Sequence, residues 1–465
     1  MTHIGSNENP LRVAIIGAGP AGFYAAEHLF KQNETAVSVD MFDRLPTPYG
    51  LVRAGVAPDH QKIKSVTKIF DRVAQKDNFR FFGYVEIGKD LSVADLANHY
   101  HQIIYTTGAQ TDRNLNIPGI DLENSHAATE FVAWYNGHPD YRDYEFDLTQ
   151  ERVAVIGVGN VAVDVCRILC RTTAELAKTD IADYALEALS QSRVKEVYMI
   201  GRRGPAQAAF TTPEMKELGE MEDADIIILP EEAELDPLSR AAMDSADRGT
   251  TRKVELIQSH ARREPIGRSR RLHLRFLVSP TELIGDENGR VAQIRLVKNE
   301  LYQTDAGTLR PRATDQYETM PVGLVFRSIG YHGVPIAGVP FNESWGVILN
   351  EAGRVMSDNR EVMVGHYTAG WIKRGPSGVI GTNKPDAVET VELMLADAAQ
   401  GQHLHPAQPD PAAIVDLIAE RQPLYFTYDD WLKLDEVEVT RGAKLGRPRL
   451  KFTTVEQMLT AAGKR

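Results

Sequence analysis

LRVAIIGAGPAG, residues 11–22, is the stretch from which the rest of the chain is read. Residues 11–16 form an apolar run, as required of a strand in a parallel sheet covered on both faces. The run stops at a full GxGxxG, made by Gly17, Gly19 and Gly22, and AGFYAAEHLF continues as a helix with Ala and Leu at packing spacing. In such a strand–turn–helix unit the first glycine permits the tight turn. The second lets the backbone approach a pyrophosphate, and the third lets helix and strand pack closely. Pro20 and Ala21 stand on the turn itself, where free helix N–H groups and the dipole favour a phosphate. A second strand, AVSVDMF, ends at Asp43, which is placed to accept hydrogen bonds from an adenosine ribose. A carboxylate there repels a 2′-phosphate, so the unit suits FAD or NAD better than NADP.

A related turn lies at GVGNVAVD, residues 157–164. It offers Gly157 and Gly159, with Ala162 in the third position. Asn160 is available to donate to a phosphate. The strand that follows ends in MIGRRGP, with Arg202 and Arg203 where an acid would otherwise stand. Two guanidiniums there would clamp a 2′-phosphate through charge-assisted bonds. The helical insertion at 171–192 lengthens the spacing between this turn and the arginines. Opposite charges at the two ribose positions imply a chain that brings a nicotinamide against a flavin.

Composition narrows the alternatives. The chain has 465 residues, enough for two or three domains. Its formal net charge of −12 argues against nucleic-acid binding, which needs a basic face. No apolar stretch approaches bilayer length, and MTHIGSNENP lacks the basic start and apolar run of a signal peptide. A soluble cytoplasmic protein is expected. The two cysteines, Cys166 and Cys170, are four apart on one expected helix, not in a CxxC redox pair. They read as packing residues, which disfavours a disulfide reductase.

Elsewhere the chain offers a loop dense in Pro and Gly at 45–64, read as a shaped binding loop. FRFFGYVEIG suggests a strand pair or hairpin, and LSVADLANHY a helix opened by a Ser cap. Residues 221–250 read as acidic and loop-like. Residues 276–328 alternate as β structure returning to the first domain. Residues 362–395 form a strand, a Gly-rich loop and a helix, whose 375–381 run would set a helix N-terminus against a ligand. From about 400 onward, helical and turn patterns carry no recognisable chemistry. Within 252–275 lie eight cations, Arg252, Lys253, Arg262, Arg263, Arg268, Arg270, Arg271 and Arg275, against Glu255 and Glu264. In an acidic chain this contrast suggests a docking face for an acidic partner.

Three longer motifs carry a resemblance: PTPYGLVRAGVAPDH at 46–60, GRRGPAQAAFT at 201–211 and GWIKRGPSGVIGTNK at 370–384. With the two glycine turns, the sequence from about 11 to 396 resembles the adrenodoxin-reductase-type ferredoxin–NADP reductases in their bacterial form. The resemblance implies an α/β fold of two discontinuous three-layer Rossmann-like domains, of glutathione-reductase type. Residues 1–112 and 327–465 would hold non-covalent FAD, and 113–326 would hold NADP(H). By position, it implies flavin contacts at Ala21, Asp43, Leu51 and Val85, and at Trp371 with Gly378, Val379 and Ile380. It implies NADP contacts at Arg113, Val158, Gly159, Asn160, Val161, Arg202, Arg203 and Glu214, with Gly378 near the nicotinamide. Asp43 replaces the Glu common in the family and keeps the carboxylate with shorter reach. Trp371 stands where related flavoproteins usually have Asp, and here follows the family's own pattern.

The expected chemistry is hydride transfer from NADPH to flavin, then single electrons to a ferredoxin-type iron–sulfur protein. No metal-ligand spacing is present. His60 closes the loop motif and is a candidate proton relay or water-ordering group; a hydrogen-bonded loop histidine is the alternative. Glu214 and Glu217, a turn apart on one expected helix, are candidates to face the nicotinamide. The competing functions are a flavin-dependent NADPH oxidase or monooxygenase, and an electron-input subunit of a larger complex.

Overall fold

The computed structural model describes residues 3–465; Met1 and Thr2, where the polar start begins, lie outside the described residues. Two parallel-core sheets organise the chain. The first runs Asn350–Glu351, Arg354–Met356, Val362–Thr368, Gln102–Tyr105, Leu11–Ile16, Val37–Asp43 and Phe79–Gly83, in that spatial order. Leu11–Ile16 is buried throughout and pairs in parallel with Val37–Asp43 on one side and Gln102–Tyr105 on the other. That is why its apolar run is unbroken: both faces of a central parallel strand are covered. The helix Pro20–Leu29 covers one face together with Asn383–Ala399, so residues from both ends of the chain complete one layer.

The second sheet runs Ser125–Ala127, Leu324–Arg327, Arg152–Ile156, Glu196–Ile200, Arg270–Arg275 and Ala224–Ile228. The helix Asn160–Cys170 packs on it with nine of its eleven residues buried. Its core joins Phe131, Trp134 and Phe326 to Cys166, Leu169 and Leu274. The chain passes from the first sheet to the second and back, and the two passages pair with each other. Thr111–Asp112 lies antiparallel to Tyr331–His332.

Three expectations are corrected. Residues 79–88 form one strand, Phe79–Gly83, and then a turn in which Tyr84 takes φ 61° and the Asp90 carboxylate accepts from Glu86 N–H. The 221–250 segment is not loop-like. It holds the strand Ala224–Ile228 and the helices Pro230–Ala233 and Pro237–Met243. Its acids serve this order, since Asp236 caps Leu238 and Ser239 while Asp225 accepts from Gly267 and Arg268 N–H. The 276–328 segment is β but does not return to the first sheet. Val278–Gly285, Val291–Gln303 and Leu309–Pro321 make a separate antiparallel sheet, and Leu324–Arg327 joins the second sheet. Alternation signals one buried face without saying what covers it; here Ile294 and Leu296 pack with Ile156, Ile200 and Val325. The helical patterns expected of the tail are present as Pro411–Arg421, Tyr428–Ala443 and Val455–Ala461, and Trp431, Leu434 and Leu459 pack into the first core.

Candidate active site

At the first turn, Gly17 takes φ +105°, and a Cβ there would stand 2.8 Å from Thr106 O, so a side chain is excluded by both torsion and space. Gly19 caps the helix with no side-chain hydrogen bond to its first turn, and Pro20, Ala21 and Gly22 follow inside the helix. The N–H groups of Ala21 and Gly22 are therefore available to a diphosphate, Pro20 having none. Asp43 sits where expected. Its Oδ2 accepts from Ala18 N–H (2.9 Å) and its Oδ1 from Leu45 N–H (2.9 Å), which fixes the carboxylate beside the turn. Val85, buried, donates its N–H to Asp43 O (2.9 Å). The Pro-rich loop is tied to the same turn by Tyr49 N–H on Ala18 O (2.8 Å), and half-buried Leu51 opens the helix Leu51–Ala54.

The C-terminal glycine segment arrives at this turn from the far end of the chain. Gly370 takes φ +79°, and a Cβ there would lie 2.6 Å from Ala21 Cβ, so only glycine lets the two segments meet. Trp371 stacks on Tyr331 with ring centroids 5.4 Å apart, and its Nε1 donates to Ser377 O (3.2 Å). Gly378 and Val379 are exposed and Ile380 half-buried, with no side chain capping Ile380–Thr382. This open, Gly-rich edge beside the first turn fits a flavin lying across it.

The second turn repeats the design. Gly159 caps Asn160–Cys170 with no side-chain bond to the first turn. Asn160 Oδ1 accepts from Thr211 N–H (3.0 Å), which leaves its Nδ2 as the donor. Val158 O accepts from Ala209 and Phe210 N–H (both 2.9 Å), and Val161 is half-buried against the core. Arg202 and Arg203 follow Glu196–Ile200, and neither has a carboxylate partner among the described residues. Burial and the charge of Arg202 both push Arg203 below its ordinary pKa, a cost that an added anion would relieve. Arg113 is exposed at the crossover, with its N–H on Gly330 O (2.9 Å).

His60, Glu214 and Glu217 come together across the two halves. His60 Nε2 and Glu217 Oε2 are 2.6 Å apart, with Glu214 Oε2 3.9 Å from the same nitrogen. A buried arginine holds them there. Arg167, with no exposed side-chain surface, reaches Asp59 (2.6 Å), Asp164 (2.7 Å), Glu214 (3.3 Å) and Glu217 (3.7 Å). Asp59 belongs to the loop of the first half and the others to the second, so one guanidinium joins both. The available signal was an Asp164–Arg167 pair at i, i+3 in an otherwise apolar helix.

Burial, then the charge of Asp164, pushes Glu214 up to about 7. Burial opposes the charged form of His60, but its bond to Glu217 lifts it above the usual imidazole range. The cluster thus carries a proton that titrates near neutrality. The His60, Glu214 and Glu217 ligand atoms lie within 4.8 Å of one another, but the Arg167 guanidinium already supplies the local positive charge.

Two further residues were missed. Asn299, buried on the three-stranded sheet, donates from Nδ2 to Arg202 O (2.9 Å) and Ser279 Oγ (2.8 Å), fixing the arginine turn from outside. Tyr331 supports Trp371 as above. Cys166 and Cys170 are buried, and burial pushes the Cys170 thiol up to about 12, so neither offers a thiolate.

Most of the basic 252–275 segment is engaged within its own domain. Arg268 donates to Met221 O and Ala224 O (both 2.9 Å), and Arg270 to Leu169 O (3.0 Å) and Arg171 O (2.6 Å). Arg275 pairs with Glu232 (2.8 Å), Arg271 with Glu196, Arg252 with Glu255, and Lys253 donates to Ala208 O. Exposed Arg262 and Arg263 remain without a carboxylate partner among the described residues. No helix among the described residues is long and apolar enough to cross a membrane.

Residues 11–216 match the pyridine nucleotide-disulphide oxidoreductase family. The chain is 44% identical over 452 residues to the NADPH-ferredoxin reductase FprA of Mycobacterium leprae, covering 96% of this chain and 97% of that one. It is 39% identical to the mitochondrial NADPH:adrenodoxin oxidoreductase of Arabidopsis thaliana, covering 98% and 96%. The solved structure of Mycobacterium tuberculosis FprA in complex with NADPH superposes with a TM-score of 0.91 at 42% identity, over 98% of this chain and all of that one. Two glycine turns of opposite ribose charge, the closing C-terminal loop and these near full-length likenesses agree: the chain belongs to the adrenodoxin-reductase-type NADPH–ferredoxin reductases.

Proposed function

We propose that this chain is an FAD enzyme that passes electrons from NADPH to a ferredoxin-type iron–sulfur protein. The observation that carries the reading is the contrast between Asp43 at the first glycine turn and the unpaired Arg202–Arg203 at the second, in one chain. FAD supplies the step from two-electron to one-electron chemistry when bound. The protein's own residues bind and orient. The N–H groups of Gly19, Ala21 and Gly22 suit the diphosphate of FAD and Asp43 its ribose, and Leu51, Val85, Trp371 and Gly378–Ile380 suit its ring. Gly157–Val161 and Asn160 suit the diphosphate of NADP, with Arg202 and Arg203 on its 2′-phosphate. Residues 1–112 and 327–465 would form the FAD domain, and 113–326 the NADP domain. His60, Glu214 and Glu217 hold or move a proton at the junction. We assign the enzyme to the cytoplasm, in keeping with two unpaired buried cysteines.

The partner would be acidic. Of the 252–275 segment, Arg262 and Arg263 are the side chains free to meet it, whereas Arg268 is bound to backbone carbonyls.

The test is direct. Purified protein should show flavin absorbance, and NADPH should exceed NADH as donor to ferricyanide and to ferredoxin. Arg203→Ala should raise the KM for NADPH roughly 10–100-fold, the equivalent of one charge-assisted bond, and leave NADH unchanged. Colourless folded protein, or a preference for NADH, would refute the reading.

A further inference from the structure

A polar cavity of about 310 Å³ lies where three parts of the chain meet. The loop and helices of 49–71 supply Arg53, Lys64, Lys68 and Asp71. The 171–192 insertion supplies Asp180, the helix Tyr428–Ala443 supplies Asp435, and the segment after that helix supplies Arg449 and Lys451. Five cations therefore line it against three carboxylates. Each carboxylate is already engaged. Asp180 takes Lys64 (2.7 Å) and Lys451 (3.3 Å), Asp435 takes Arg449 (2.6 Å), and Asp71 accepts from Tyr428 Oη (2.8 Å). Glu438, behind the wall, accepts from Arg53 (2.8 Å) and Arg449 (3.1 Å), which still leaves one positive charge in excess.

The excess has identifiable donors. Arg449 uses only one of its three nitrogens, and Lys68 Nζ makes no hydrogen bond, among the described residues. The crowding also shows at the base of the cavity. Burial, together with Lys64, Arg53 and Arg449, holds Lys451 well below the usual amine range despite Asp180, and Lys64 is depressed by burial and by Arg449. An anion entering here would meet free donors and relieve that repulsion. Tyr49 and Trp431 on the wall are buried against each other and offer no open face for a base. The site therefore favours a small anion over a nucleotide.

We propose that this cavity binds a small polyvalent oxyanion of pyrophosphate type, held by Arg449 and Lys68 above the Lys64–Asp180–Lys451 floor. Such an anion would brace the C-terminal helices against both halves of the enzyme. The site is independent of the NADP turn, and inorganic pyrophosphate tests it by calorimetry on the flavin-loaded enzyme. Saturable one-to-one binding is expected. Lys68→Gln, an exposed change that leaves the fold alone, and Arg449→Gln should each weaken it about tenfold. Arg203→Ala should leave it intact. Absence of saturable binding, loss in Arg203→Ala, or indifference to Lys68→Gln would each overturn the proposal.

Discussion

Arg167 shows how much one residue can carry. It is a fully buried guanidinium among four carboxylates, three of which also contact His60 within 3.9 Å. Removing one member of such a network leaves uncompensated charge in a place water does not reach. Arg167→Met should therefore destabilise the protein by about 3–5 kcal/mol, measured by urea denaturation. Glu214 gives a test with a defined sign. Its folded pKa of about 7 lies above its ordinary value. Stability from its neutral form is thus complete at low pH and is lost as pH rises through about 7, while Asp164, Arg167, His60 and Glu217 face it. Glu214→Gln keeps the neutral shape. Its Tm should fall less than the wild type's between about pH 5 and pH 8.5, and the inflection near neutrality in flavin reduction by NADPH should disappear. A Tm that falls in parallel with the wild type's would dismiss this assignment.

At the scale of elements, the tail helix Tyr428–Ala443 is structural and substantial. Trp431 packs edge-on against Tyr49 at 5.6 Å, and Glu438, with no exposed side-chain surface, takes Arg53 and the N–H of Phe452 (2.8 Å). Beyond it, Arg447 donates to Thr179 O (2.9 Å) and pairs with Asp183, reaching the second half of the chain. Trp431→Ala should cost about 3–5 kcal/mol in denaturant unfolding. On the exposed hairpin, Arg312→Ala breaks a pair with Glu300 in which both side chains are more than half exposed, and should cost under about 1 kcal/mol. The contrast tests burial as the cause, because both changes remove a well-formed contact.

For the molecule as a whole, the two sheets meet through paired crossover strands and the Arg167 cluster. The proposed docking face rests on the surface left over, the exposed Arg262 and Arg263. Arg262→Glu with Arg263→Glu should slow ferredoxin-dependent turnover most at low ionic strength and leave ferricyanide reduction unchanged. Equal rates across a salt series would remove those residues from the docking face. The strand–turn–helix units, the ribose charges and the helix bearing Glu214 and Glu217 were legible from sequence, because each is set by neighbours within a few residues. A GxGxxG after an apolar strand has few ways to fold, and Ser92 capping Asp95 is equally local. What covers a face is a different matter. Alternation in 276–328 predicted β structure but not its sheet, and a run of arginines predicted a patch but not that Arg268 and Arg270 turn inward onto carbonyls. Likewise Arg167 is 108 residues from Asp59, and Asn299 is 97 from the Arg202 carbonyl it holds. The sequence by itself determined the two nucleotide units and the charge each presents. Only the tertiary structure decided which charges are neutralised and which remain for a ligand, because burial and long-range pairing exist only once the chain has closed on itself.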